Sequence, residues 1–158
     1  MNKSIDQWLD EYGESHQNKT NKLIHWFCVP IITFTLLGIL SSFTFQFAIN
    51  KSSYIINPGG ILVIIAVLFY LRLSYSISIG MLLFSGICLS LIQNFENNYT
   101  SEQLFTCYII AFIVAWIGQF IGHRIEGEKP SFLKDIQFLL IGPAWLLSFI
   151  YKKINISL

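Results

Sequence analysis

The stretch "ILVIIAVLFYLRLSYSISIGMLLFSGICLSLIQ", residues 61–93, decides how this chain folds. It is predominantly apolar and carries no charge except Arg72. Thirty-three residues fit either one tilted helix or two short spans. An arginine at mid-bilayer costs several kcal/mol, so Arg72 belongs at an interface. The run therefore reads as a tight hairpin that turns at Arg72, with a short first arm.

Outward from this hairpin, the rest of the chain divides by the same criterion. Trp26 to Ile49 is 24 residues without a charge, more than the roughly 20 that cross a bilayer as a helix. Asn50 to Gly60 is a loop carrying Lys51 and the turn signal Pro58-Gly59-Gly60. Asn94 to Gln103 is polar, with Glu96 and Glu102, and Leu104 to Gly122 is an uncharged span of 19 residues. His123 to Asp135, "HRIEGEKPSFLKD", is a charged loop. Ile136 to Tyr151 is apolar but short, and Gly142-Pro143 interrupts it. It reads as re-entrant or interfacial, because a full crossing would leave Lys152 and Lys153 on the wrong side. The expected fold class is all-α: a polytopic membrane bundle of four spanning helices plus this C-terminal segment. The 158 residues form one membrane-embedded domain, with a polar head over 1–25 and the bundle over 26–158.

Composition agrees with a membrane protein. Hydrophobic residues make up 54% and charged residues 12%, against about 25% charged in soluble domains. A net charge of +1 gives no argument for nucleic acid. Cys28, Cys88 and Cys107 lie in apolar stretches without CxxC spacing and read as core residues. Asp6, Asp10, Glu11 and Glu14 in the head do not fit a signal peptide, so the head is expected to stay on the side where it is made. With a hairpin at Arg72, that side carries Lys19, Lys22, Arg72, Arg124, Lys129 and Lys134, and the far side carries Lys51. This is the positive-inside pattern and places the head in the cytoplasm.

The topology also decides the chemistry. The three histidines, His16, His25 and His123, lie at the edges of apolar segments. A hairpin at Arg72 puts His25 and His123 on one face, whereas a single crossing would part them by roughly 30 Å. Any one of them alone reads as an interfacial anchor, so the case for function rests on convergence. Asn21 and His25 share a helix face. His16 and His25, nine apart, fall about 180° apart on one helix. The chain must therefore turn between them, and Asn18, Thr20 and Asn21 favour a turn or cap. Gln119, His123 and Glu126 form an i, i+4, i+7 stripe if their helix continues past Gly122. Three imidazoles and a carboxylate suit zinc, iron or copper. Gly118 and Gly122, four apart, read as a helix-packing pair. No GxSxG, P-loop or GxGxxG motif is present.

The pattern H-x4-N-x3-H-x3-VP, from His16 through Asn21 and His25 to Val29-Pro30, resembles the start of the 2-hydroxy-fatty-acid dioxygenase family. "WIGQFIGHRIEGEKPSF", residues 116–132, is similar to that family's other hallmark, a Gln-x2-Gly-His stretch followed by Glu and Pro. "IGPAW", 141–145, is similar to its C-terminal Pro-containing segment. Cys28 stands where the resemblance leads one to expect a small, glycine-like residue. The resemblance implies Fe(II)-dependent α-oxidation, in which O2 shortens a 2-hydroxy fatty acid by one carbon without a 2-oxo acid. It implies His16, His25 and His123 as iron ligands or essential polar residues, Glu126 as a further catalytic candidate, and Asn21 and Gln119 as supports of the cofactor. The implied partners are the hydroxy acid, O2 and a bilayer, in a bacterial inner membrane or the endoplasmic reticulum; the oligomeric state is left open. Two other functions fit the residues: a non-enzymatic lipid-binding or scaffold protein, and a zinc or di-iron lipid enzyme, although di-iron hydroxylases usually carry many more histidines.

Overall fold

A computed structural model describes residues 3–49, 52–127 and 137–158. Among these are six helices and one strand pair: α1 (Ile5–Glu14), α2 (Lys19–Ser41), β1 (Phe45–Ile49), β2 (Ser52–Ile56), α3 (Pro58–Leu71), α4 (Tyr75–Glu96), α5 (Ser101–Glu126) and α6 (Gln137–Lys153). The all-helical expectation holds apart from the hairpin β1–β2.

The turn at Arg72 is present. α3 ends at Leu71, and the Ser74 hydroxyl accepts a hydrogen bond from the Ile77 N–H to start α4. Arg72 is exposed between them. α3 starts where it does because Asn57 caps it: its Oδ1 accepts from Gly60 N at 3.0 Å, and Pro58 fills the first turn, where no backbone donor is needed. α2, α4 and α5, with 23, 22 and 26 residues, are long and apolar enough to cross a membrane. α3 is equally apolar but has 14 residues, about 21 Å of rise, short of the roughly 30 Å hydrocarbon core. Three long helices thus stand where four spans were expected. Their outer faces carry exposed aliphatics such as Ile31, Leu83 and Val114, which suits contact with lipid rather than water.

The first span differs from expectation at both ends. It covers Lys19–Ser41 rather than Trp26–Ile49. It begins early because the Asn18 side chain accepts from Thr20 N at 2.8 Å, an N-cap that satisfies orphan helix donors. It stops early because Thr44-Phe45-Gln46-Phe47 alternates polar and aromatic residues, a period-2 pattern that favours a strand. β1 pairs antiparallel with β2, from Phe45 opposite Ile56 to Ile49 opposite Ser52, so part of the expected 50–60 loop is strand.

The polar head also has more structure than expected. Ser4 and Gln7 form a capping box, and Ile5, Trp8, Leu9 and Tyr12 make a buried stripe on α1. That stripe packs on α6: Trp8 meets Phe138 edge-on at 5.5 Å, and Tyr12 meets Trp145 at 5.4 Å. α6 is one continuous helix through Pro143, not a broken segment. The residue before the proline is Gly142, which has no Cβ to clash with the ring. Tyr70 donates to Leu140 O at 2.6 Å and Tyr151 donates to Ser76 O at 2.8 Å, which ties α6 to α3 and α4.

α2 and α5 lie against each other through small residues. A Cβ at Gly118 would come within 2.7 Å of Cys28 Sγ, and one at Gly38 within 2.7 Å of the Tyr108 ring. Cys28 is therefore accommodated by a glycine on the facing helix. Lys51, Lys129, Pro130 and Lys134, which entered the charge and motif arguments, lie outside the described residues.

Candidate metal centre

Three elements deliver the histidines to one place. His16 sits in the link between α1 and α2, where the chain turns as the nine-residue spacing requires. His25 is on the second turn of α2 and His123 on the last turn of α5, which does continue past Gly122. All three are buried, at 0%, 0% and 2% exposure. Their potential ligand atoms lie within 4.8 Å of one another, and their rings meet edge-on at centroid distances of 4.3, 4.8 and 4.9 Å.

The hydrogen bonds fix the proton on two of the rings. His16 Nδ1 is 2.6 Å from Tyr12 O, and His25 Nδ1 is 3.0 Å from Asn21 O. A backbone carbonyl only accepts, so each Nδ1 must carry the hydrogen. Each neutral ring then presents a bare lone pair at Nε2, and the two Nε2 atoms are 3.0 Å apart. Burial lowers the His16 pKa from 6.5 to about 4, so a shared proton is disfavoured near neutrality. Two lone pairs held together need a cation between or beside them. Metal–imidazole bonds of about 2.0–2.1 Å let one ion reach both nitrogens. His123 Nδ1 is a third buried nitrogen without a protein partner. The donor set fits a metal ion that accepts neutral imidazole.

The other expected site residues surround this cluster. Asn21, fully buried, offers its carbonyl to His25 and donates from Nδ2 to Glu126 Oε2 at 3.0 Å. Gln119 of α5, also buried, lies beside the His25 ring. Glu126 turns its carboxylate to the α1–α2 link: Oε1 accepts from Gln17 N at 2.7 Å and Oε2 from Asn18 N at 2.9 Å. These bonds fasten the link carrying His16 to the helix carrying His123. The carboxylate is thus engaged by backbone and amide donors, outside the imidazole cluster.

Two participants were missed in the sequence. The Tyr12 ring stacks on His16 at 4.2 Å with a 12° interplanar angle, and Trp145 lies 5.2 Å from the same ring. The legible signal for Tyr12 was the i, i+3, i+4, i+7 stripe of Ile5, Trp8, Leu9 and Tyr12.

Two cavities adjoin the cluster. One, about 110 Å³, is almost wholly apolar and touches the centre at Tyr12 and Gln119. The other, about 260 Å³, is polar and has His16, Lys22, Trp145 and Lys152 among its walls.

A family model described as 2-hydroxy-palmitic acid dioxygenase, Mpo1-like, matches residues 2–154. No curated protein and no solved structure matches the chain.

Proposed function

The chain belongs to the Mpo1-like family of 2-hydroxy-palmitic acid dioxygenases, and on that premise we propose that it is an Fe(II)-dependent enzyme that uses O2 to shorten 2-hydroxy fatty acids by one carbon, with no 2-oxo acid. The observation that carries the metal part is the pair of bare Nε2 atoms of His16 and His25, 3.0 Å apart beside buried His123.

His16, His25 and His123 would hold the iron. Iron bound there supplies the one-electron chemistry that ground-state O2 needs in order to react with a closed-shell acid. The protein groups do the rest. Tyr12 O and Asn21 O hold the protons of His16 and His25 on Nδ1, so both rings face inward as neutral donors. Asn21, Gln119 and Glu126 position those rings rather than react. The Tyr12 and Trp145 rings exclude water from one side of His16. Lys22 shares the polar cavity with His16 and would receive the substrate carboxylate. The C1–C2 bond of the acid breaks, C1 leaves as carbon dioxide and C2 becomes the new carboxyl carbon; the four electrons released reduce O2, of which one oxygen atom's worth enters the carboxyl group and the other leaves as water.

We place the whole chain in one membrane-embedded unit with the centre at the cytoplasmic surface. The long apolar helices support the membrane setting, and Lys19, Lys22, Arg72 and Arg124 support the side.

The test is aerobic turnover. Purified, Fe(II)-loaded protein is given a long-chain 2-hydroxy acid, and the products are read by mass spectrometry. An acid one carbon shorter, lost with chelator and with His123→Ala, is the expected result. Folded, iron-loaded protein that shortens no acid of any length tested would refute the proposal, and preferential retention of another metal would point to a different metalloenzyme.

A further inference from the structure

The apolar cavity beside the centre has a direction, a length and a floor. Its walls on α2 run from Val29 to Leu37, and on antiparallel α3 from Tyr70 back to Leu62. Each is nine residues of helix, eight steps and about 12 Å at about 1.5 Å per step. One end approaches the metal centre: Tyr12 stacks on His16, and Gln119 lies beside His25. The other end is closed. Leu37 and Val63 belong there to a packed cluster with Cys88, Ile92, Leu104 and Tyr108. Thr33, one of the few polar side chains in the wall, gives its hydroxyl proton to Val29 O at 3.0 Å and asks nothing of an occupant. An apolar groove along the helices, with Tyr12 and Gln119 joining one end of it to the centre, suits one occupant best: an unbranched acyl chain lying along the helix axis.

We propose that this cavity seats the tail of the fatty acid and that Ala66 and Val63 set how long a tail it accepts. The proposal rests on the dioxygenase reading and deepens it. Ala66 lies one helical turn from Tyr70 and about one turn from Val63, so its methyl marks mid-depth; Val63 lies at the floor. An extended alkyl chain rises about 1.25 Å per carbon from C–C bonds of about 1.5 Å. The groove therefore holds about nine or ten carbons, and side-chain size at these two positions converts directly into carbons admitted.

The experiment compares wild type, Ala66→Phe and Val63→Ala over a series of 2-hydroxy acids of increasing length. Ala66→Phe is expected to lower kcat/KM for long acids at least tenfold relative to short ones. Val63→Ala is expected to move the optimum toward longer acids. Because the two variants act in opposite directions, loss of one to misfolding leaves the other as a test. A second readout needs no turnover. Trp116 lines the cavity, so fatty acids brominated at defined carbons should quench its fluorescence, with Trp116→Phe as the control. Quenching should be strongest for a bromine at mid-chain and should weaken in Ala66→Phe. Length profiles and quenching that are the same in both variants as in wild type would overturn the assignment. Wild-type protein that shortens no acid yet shows length-dependent quenching, altered by Ala66→Phe, would sustain the cavity assignment while removing the dioxygenase reading.

Discussion

At His16 and His25 each Nδ1 gives its proton to a backbone carbonyl, and the facing Nε2 pair is left without one. The neutral state this requires has a pH signature. The His16 pKa is about 4 in the fold, against 6.5 ordinarily. Between those values the unfolded chain binds a proton that the folded chain refuses. The stability contribution is therefore full above about pH 6.5 and is lost as pH falls toward 4. Thermal unfolding of metal-free protein should show this decline, and His16→Gln should reduce it. Glu126 acts at one remove. Its carboxylate holds the N–H groups of Gln17 and Asn18 and the Asn21 amide. Glu126→Gln removes the charge and one good acceptor, so metal affinity should fall about 10- to 100-fold, as for other partners of metal ligands. Far-ultraviolet circular dichroism should stay unchanged. Equal metal affinity in the variant would mean that the link carrying His16 holds itself in place.

Helices α2 and α5 carry two of the three imidazoles, so their separation sets the centre. A Cβ at Gly122 would strike Asn21 Oδ1. Gly122→Ala should thus force the helices apart, at an overpacking cost of about 1–3 kcal/mol, and weaken metal binding together with stability. Gly86→Ala is the control: nothing lies within 4 Å of its Cβ position, so it should be neutral or slightly stabilising. Chemical unfolding and metal titration of both variants check the pair. At this scale the sequence was legible where one strong signal acted alone. Arg72 in an apolar run announced the α3–α4 turn, and the nine-residue gap from His16 to His25 announced a bend. It was less legible where hydrophobicity was read without period. Phe45 to Ile49 is apolar enough to extend a span, yet its alternation pairs it with Ser52 to Ile56. The acidic residues of the head masked the stripe of α1, and Pro143 read as a break although packing on α1, α3 and α4 carries α6 through it. The histidine positions were readable because their neighbours are polar in apolar surroundings. The direction of the Glu126 carboxylate was not readable, since it depends on where a loop more than 100 residues away comes to rest.

Across the whole molecule, the start of α2, the α3–α4 turn and the end of α5 share one end of the bundle. The β-hairpin and the α4–α5 connection lie at the other. In a cysteine-free background, Lys19→Cys and Arg72→Cys should react with a membrane-impermeant thiol reagent from one side and Asn98→Cys from the opposite side. Labelling of Lys19→Cys and Arg72→Cys from opposite sides would contradict the shared end. The centre also joins the chain's beginning to a helix that is made much later, with His25 and His123 about 100 residues apart. An ion held by both closes a loop of that size, and closure of a long loop removes more disorder from the unfolded chain than closure of a short one. A metal held there would then serve as a removable cross-link as well as a reagent. It could be installed only once α5 had been inserted, so a ribosome-bound, half-made chain would have no means of acquiring it.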